Sequence, residues 1–373
     1  MANGLAPYLL NDIASIAGGA TPNRKLDVNG LLAVCYNNQI NSPITTIEGD
    51  GHKKEVHIRY RQRPTFSMTD TVPFNCTDVN IPARLETTIS VGSGRQIAYM
   101  LTDQLVASYM NDASKRMSIP GSTPTSGASA EMMDIIYSAA NALLTAMNRD
   151  LIGLVTWGRN AVAASTAAQT LPLAQSSPTT MVLGSGETKL MTDYVLSGLT
   201  GRPQVVGGGK FLSYMFQQYA KSNNSAGLNT AIIASNWDFY PDITIGSSVG
   251  LNDADGIGVF EPGSIHIVEA LEYQGFAAGQ FPGDSIYGVL PLNYTDYMGN
   301  TAVIKFDFQL RYITCPTTFV DTYVGGNTAS QTKGWQLIMK KDFGLFQTPT
   351  NAYRNDDRNF FVNGAMRYTV TNA

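Results

Sequence analysis

Apolar residues fall at different periods in different stretches of this chain, and those periods divide it into elements. Glu55 to Arg63 (EVHIRYRQR) and Ala83 to Val91 (ARLETTISV) alternate, which is the two-residue period of strands. Pro64 to Pro82, long and irregular, lies between them, so the pair predicts a large hairpin. A two-stranded hairpin is marginally stable in water, and support from outside it is expected. Gly94 to Met117 places Ile97, Leu101, Leu105, Tyr109 and Ala113 at helical spacing, with Pro120-Gly121 as the stop. After a Ser/Thr/Gly/Pro-rich link, Ala130 to Trp157 sets Met133, Ile136, Ala140, Leu143, Leu144, Met147, Leu151 and Val155 on one stripe. At 1.5 Å per residue this is a helix about 40 Å long. Asn141, Asn148, Arg149 and Asp150 make it amphipathic and unlike a membrane span.

Residues 1 to 50 show no sustained period and read as an extended arm, and the Ala/Ser/Thr/Gly-rich residues 160 to 190 as a linker. Beyond them comes a β/α mixture: Gln204 to Val206 as a strand, Lys210 to Lys221 as a short helix, and Thr230 to Ser235 as a strand. Ser264 to Glu272 and Ser285 to Leu290 continue the sheet-like pattern. In Thr301 to Tyr312, Ile304, Phe306, Phe308, Leu310 and Tyr312 face one way and Lys305, Asp307, Gln309 and Arg311 the other. Trp335 to Met339 and Met366 to Val370 are further strands, and no internal repeat is present.

Composition adds one clue. The 373 residues are 43% hydrophobic, enough for a substantial core, yet only 14% are charged, against about a quarter in ordinary soluble domains. Interfaces are depleted of Lys, Glu and Asp, so a neutral polar exterior suits a surface that neighbours cover; a β-rich protein with Thr- and Asn-rich loops has the same composition. The net charge of −4 gives no global attraction to nucleic acid or anionic membrane. Cys35, Cys76 and Cys315 lie far apart with no CxxC spacing, which points away from zinc and disulfides and toward a reducing compartment. The start lacks a basic signal-peptide region, and no apolar run reaches the ~20 residues of a span. Cytoplasmic synthesis is therefore expected, with the sequons at Asn75, Asn223 and Asn293 as chance matches.

Candidate chemistry is thin. Gly246-Ser247-Ser248-Val249-Gly250 matches the GxSxG nucleophile elbow, with Asp253 or Asp255 and then His266 downstream, but loop residues follow where the elbow needs a helix. Gly207-Gly208-Gly209-Lys210 lacks the phosphate-loop spacing, and Phe211 replaces the metal-binding hydroxyl. Asn252 to Gly256 resembles part of a calcium loop, with Leu251 and Pro262 at ligand positions. His52 and His57 point to opposite faces of an extended segment. No catalytic residue, metal or cofactor is assigned. The remaining feature is a basic stripe, Arg59, Arg61 and Arg63 on one strand face, flanked by Lys53, Lys54 and His57. It serves as a charged edge that blocks stray pairing, faces packaged nucleic acid, or meets acidic groups of a neighbouring subunit around Glu86 or Asp78. The neighbour contact is the favoured reading.

Taken in order, the elements are arm, hairpin, long helix, β/α region and late alternating strands. This order resembles the tailed-bacteriophage major capsid fold, which bacterial nanocompartment shells share. EVHIRYRQR with ARLETTISV matches its extended loop, AEMMDIIYSAANALLTAMNRDLIGLVTW its spine helix, GRPQVVGGGKFLSYMFQQYAK its axial domain, and TAVIKFDFQLRY its returning strands. The resemblance implies an α+β chain with an N-terminal arm (1–50), an extended hairpin loop (51–93), a peripheral domain with the spine helix (94–190), an axial domain (191–300) and returning strands (301–373). It implies a non-enzymatic subunit that forms hexamers and pentamers of an icosahedral shell around double-stranded DNA. Such a subunit is assembled in the host cytoplasm and resides in the virion. The implied partners are copies of itself, packaged DNA without sequence specificity, and scaffold, portal and decoration proteins, with no membrane. A nanocompartment shell and a phage tail subunit are the alternatives.

Overall fold

The computed structural model describes residues 25–39, 46–50, 55–61, 84–91, 94–118, 127–158, 168–173, 185–209, 211, 237–242, 244–245, 256–272, 285–295, 301–322, 328–349 and 363–372. It is an α+β chain with two compact units, each assembled from three separate stretches.

The first unit comprises Met1–Val28, Ser93–Ala146 and Glu269–Phe343. Its sheet runs β10 (Ser285–Thr295), β11 (Thr301–Thr322), β12 (Thr328–Gln347, of which the residues through Phe343 belong here) and β4 (Arg95–Leu101). All of these neighbours pair antiparallel. β10 and β11 stay in register from Ser285↔Arg311 to Thr295↔Thr301. The β11–β12 ladder shifts between Thr314 and Phe319, around Pro316, whose backbone has no N–H to give a ladder.

The expected facing of Thr301 to Tyr312 holds for Ile304, Phe306, Phe308 and Leu310, all buried, while Tyr312 is 37% exposed. The opposite face departs from expectation, because Asp307 and Gln309 are buried too. Asp307 Oδ2 accepts the Glu272 amide at 2.8 Å. Lys341, also on β12, is buried, donates to Lys305 O at 2.6 Å and to Glu269 Oε2 at 2.9 Å, and lies 5.2 Å from the Phe306 ring centre. Burial pushes its ammonium pKa down, while the Glu269 carboxylate opposes the shift.

The segment expected as a helix from Gly94 begins as strand β4; only α2 (Asp103–Ser118) is helical. Ile97 and Leu101 are four apart, but both also sit on one face of a strand with Tyr99, and pairing to β12 decides in favour of the strand. Thr102 caps α2, its Oγ1 accepting the Leu105 amide at 3.2 Å. The long helix α3 (Gly127–Leu154) forms as expected; Met133, Ile136, Ala140, Leu143 and Leu144 of its stripe are buried in this unit. Asn141 holds residues 25–28 along the helix: its Oδ1 accepts the Asp27 amide at 2.8 Å and its Nδ2 donates to Lys25 O at 3.0 Å.

The second unit comprises Asn29–Gly92, Met147–Val268 and Gly344–Ala373. Its five-stranded sheet has the order β5 (Gln169–Leu173), β13 (Ala365–Asn372), β8 (Gly256–Phe260), β6 (Gln204–Gly207), β7 (Asp238–Pro241). β5 pairs parallel to β13 and β7 parallel to β6, and the two central pairings are antiparallel. Val205, Ile257, Val259, Trp237, Met366 and Tyr368 pack with Leu190 and Tyr194 of α4 (Ser185–Leu196). β5 and α4 replace part of the expected linker, and Pro172 is tolerated because β5 is an edge. The expected helix after Lys210 and strand at 230–235 lie outside the described residues, apart from buried Phe211.

The expected arm contains a helix, α1 (Gly30–Gln39). Leu31, Leu32, Val34, Cys35 and Tyr36 are all buried, so apolar residues surround the axis and no 3.6-residue signal marks it. Gly30 opens α1 at φ +56°, where a side chain would run into Asp242. Asn148, expected on the solvent face of α3, is buried at the start of α1. Its Oδ1 accepts the Leu32 amide at 3.0 Å, and its Nδ2 donates to Asp242 Oδ2 and Thr244 Oγ1, each at 2.9 Å.

Candidate assembly surface

The hairpin forms with the expected alternation and gains a third strand. β1 (Thr46–Asp50), β2 (Glu55–Arg61) and β3 (Arg84–Ser90) make an antiparallel sheet with β2 in the centre. Val56 and Ile58 are buried on one face. The support comes from the same unit: Tyr60 meets Phe346 at 6.4 Å between ring centres. Gly344 lies so close to β3 that a Cβ there would stand 2.8 Å from Ile89 Cγ2 and 2.9 Å from Ser90 O. The support expected from outside the hairpin is therefore supplied, at least in part, by the chain's own residues 344–346.

The opposite face carries His57, Arg59 and Glu86. Arg59 stands directly across from Glu86, and its Nε donates to Glu86 Oε2 at 3.1 Å. His57 Nδ1 lies 2.9 Å from Glu86 Oε1 and 3.2 Å from Thr88 Oγ1. The Arg59 guanidinium, with His57 beside it, holds the Glu86 carboxyl below the usual carboxylate range. Within the subunit, Glu86 is thus a partner of its own hairpin's Arg59. Arg61 occupies the register position opposite Arg84. Arg63, Lys53, Lys54, His52 and Asp78 lie outside the described residues.

Ser248, Asp253 and Asp255 lie outside the described residues. His266, on β9 (Ile265–Ala270), is buried, stacks on Phe346 at 5.9 Å and 21°, and its Nε2 lies 2.9 Å from Gly263 O. Burial lowers its pKa. Gly207 is explained by packing, since a Cβ there would meet Phe211 at 2.8 Å and Phe239 at 3.1 Å. Cys35 is buried as a free thiol, and burial pushes its pKa up. Among the described residues no group of three metal-ligating side chains occurs, and no helix is long and apolar enough to cross a membrane.

Two features escaped the sequence reading: the Asn148 hub, which looked like a solvent-facing polar position, and an open groove beside β4, which the helical reading of Ile97 concealed. The alternation of Ile97, Tyr99 and Leu101 was the available signal for the second.

No protein-family model and no curated protein matches the chain. Among solved structures it is similar to one from Mycobacterium phage Bobi, at 10% identity and TM-score 0.42 over 97% of this chain and 98% of that one. It is similar to the capsid structure of Cyanophage P-SCSP1u, at 11% identity and TM-score 0.41 over 96% and 92% of the two chains. It is also similar to the capsid of Myoviridae phage XM1, at 11% identity and TM-score 0.36 over 95% of each chain.

Proposed function

We propose that this chain is a structural subunit that self-assembles into an icosahedral capsid around double-stranded DNA, in the manner of tailed-bacteriophage major capsid proteins. The observation that supports it is the succession of elements along the chain. A hairpin sheet is followed by a 28-residue helix, then by four strands (β5 to β8) of a mixed sheet, then by antiparallel strands of 22 and 20 residues, and β13 returns to that mixed sheet. That is the order on which the resemblance rests. In this reading the subunit works by contact and carries out no reaction. It forms hexamers and pentamers head to tail, closed into rings by rotation, is assembled in the host cytoplasm and resides in the virion. Scaffold, portal and decoration proteins are its further partners.

The basic stripe of Arg59, Arg61 and Arg63 meets acidic groups of a neighbouring subunit. Glu86 is occupied within its own hairpin, which directs the stripe to acidic groups outside it. The test is expression of the chain alone, followed by negative-stain electron microscopy and size-exclusion chromatography. Closed shells or rings are expected, and nucleic acid inside them distinguishes a capsid from a nanocompartment. Tubes would indicate a tail subunit. A persistent monomer whose 62–83 segment resists protease would overturn the proposal. Charge reversal of Arg59, Arg61 and Arg63 is expected to block assembly while leaving the subunit folded; unimpaired assembly would remove the stripe from the contact.

A further inference from the structure

In the second unit the start of β9 lies beside the last residues of β12, where the Thr348 amide donates to Ser264 O at 2.8 Å. His266 of β9 stacks on Phe346 of β12, and Phe346 also meets Tyr60 of β2. Two residues earlier, Gly344 lies against Ile89 and Ser90 of β3. One histidine and the hairpin sheet therefore rest on the same strand end.

His266 is 1% exposed and Phe346 3%. With Nε2–H donating to Gly263 O, the neutral ring leaves Nδ1 as an acceptor, and Nδ1 has no hydrogen-bond partner among the described residues. A proton there turns a buried neutral acceptor into a charged donor with nothing to receive it, which costs far more. The Phe346 ring offers such a cation only partial compensation.

The charged groups on the surrounding elements are committed elsewhere. Glu55, His57, Arg59 and Glu86 alternate onto the hairpin face opposite Tyr60. Glu261, in the turn before β9, accepts from Thr200 N and Oγ1. On β12, Lys340 pairs with Asp342 and Lys341 with Glu269. α1, whose Asn38 donates to Ile265 O, brings only Cys35 and Tyr36, and β13 only Arg367 and Tyr368. Burial therefore governs His266, opposed by the Gly263 carbonyl.

We infer that His266 is an acid-sensitive latch beneath the hairpin: once protonated, its ring turns to water, Phe346 loses its stack, and the hairpin sheet comes off the end of β12. The hairpin is the layer that yields, because a main-chain hydrogen bond ties the strand end to β9, whereas Tyr60 meets it through a side chain. In the opened state the ring regains its ordinary pKa of 6.5. Opening is therefore insensitive to pH above about 6.5 and rises as pH falls below it, by at most about tenfold at pH 5.5. The inference stands independently of the capsid proposal.

The test is amide exchange read by mass spectrometry on the unassembled full chain at pH 7.5 and 5.5, with each rate divided by the intrinsic rate at its pH. Opening of β2 and β3 is expected to increase several-fold, toward that tenfold limit, at pH 5.5 while β8 and β13 of the same unit stay as they were. His266→Phe and His266→Gln, which take up no proton, are expected to hold β2 and β3 at their neutral-pH protection, and His57→Gln, on the far face, to keep the response. Equal protection of β2 and β3 at both pH values, acceleration shared equally by β8 and β13, a response that survives both His266 variants, or one that vanishes in His57→Gln would overturn the inference.

Discussion

Replacing Asn148 with Leu should loosen α1 while leaving the volume of its site nearly unchanged, so that cavity formation adds little. Three hydrogen bonds disappear: Leu32 N to Asn148 Oδ1, and Asn148 Nδ2 to Asp242 Oδ2 and to Thr244 Oγ1. Thr244 loses least, since its hydroxyl still donates to Asp242 Oδ1 at 2.7 Å. Asp242 keeps two partners on that oxygen, the Thr244 amide and hydroxyl, and loses the one on Oδ2. The Leu32 amide, in the first turn of a buried helix, is left with nothing. An unsatisfied buried donor costs about 1–3 kcal/mol, and a lost bond to a carboxylate about 1.5–3 kcal/mol, so the variant should lose about 3–5 kcal/mol. Most of that is borne locally, and amide exchange across Leu31 to Tyr36 should accelerate about a hundredfold or more. Hydrogen exchange read by mass spectrometry on the unassembled subunit measures this directly. A change of less than about fivefold would mean that water or a shifted side chain satisfies the amide, and the reasoning from burial would fail.

Gly344→Val should force the hairpin off the end of β12 at a cost of about 1–3 kcal/mol, read as faster proteolysis within residues 62–83 and a lower melting temperature. Lys341→Met should destabilise by about 3 kcal/mol because Glu269 is left without its cation, and Glu269→Leu in the same chain should restore much of the loss; a thermal double-mutant cycle measures the coupling. His266 has a folded pKa below its ordinary value of 6.5. Its contribution is therefore fully present above about pH 6.5, where both states are neutral, and declines as pH falls and only the unfolded state takes up the proton. Denaturant titrations across pH 5 to 7.5 should show that slope, and His266→Phe should flatten it.

How much of this was legible in sequence depended on whether an element buries one face or all of them. The hairpin strands and α3 each bury one face, so Val56 and Ile58, or Met133, Ile136 and Ala140, keep the period of their element. α1 buries every side and carries no period, and residues 30–39 were accordingly read as arm. β4 was misread because Ile97 and Leu101 satisfy two periods at once, and a partner strand more than 230 residues away, β12, settles the choice. For the assembly surface, the shared face of Arg59 and His57 was readable from alternation. The pairing of Glu86 with Arg59 was not, because it depends on the β2–β3 register across a tip of more than twenty residues.

The place of β13 in its sheet has a consequence for timing in the cell. It is the last of the described strands to be made, yet it lies between β5 and β8 rather than at an edge. While the ribosome is still reading the preceding residues, β5 has no partner strand and β8 has one open side among the described residues, and Met366 and Tyr368 are missing from the core. The second unit therefore completes its fold only after synthesis has passed residue 372. Until then the nascent chain presents open strand edges, the species most prone to pair wrongly with its neighbours on the same message.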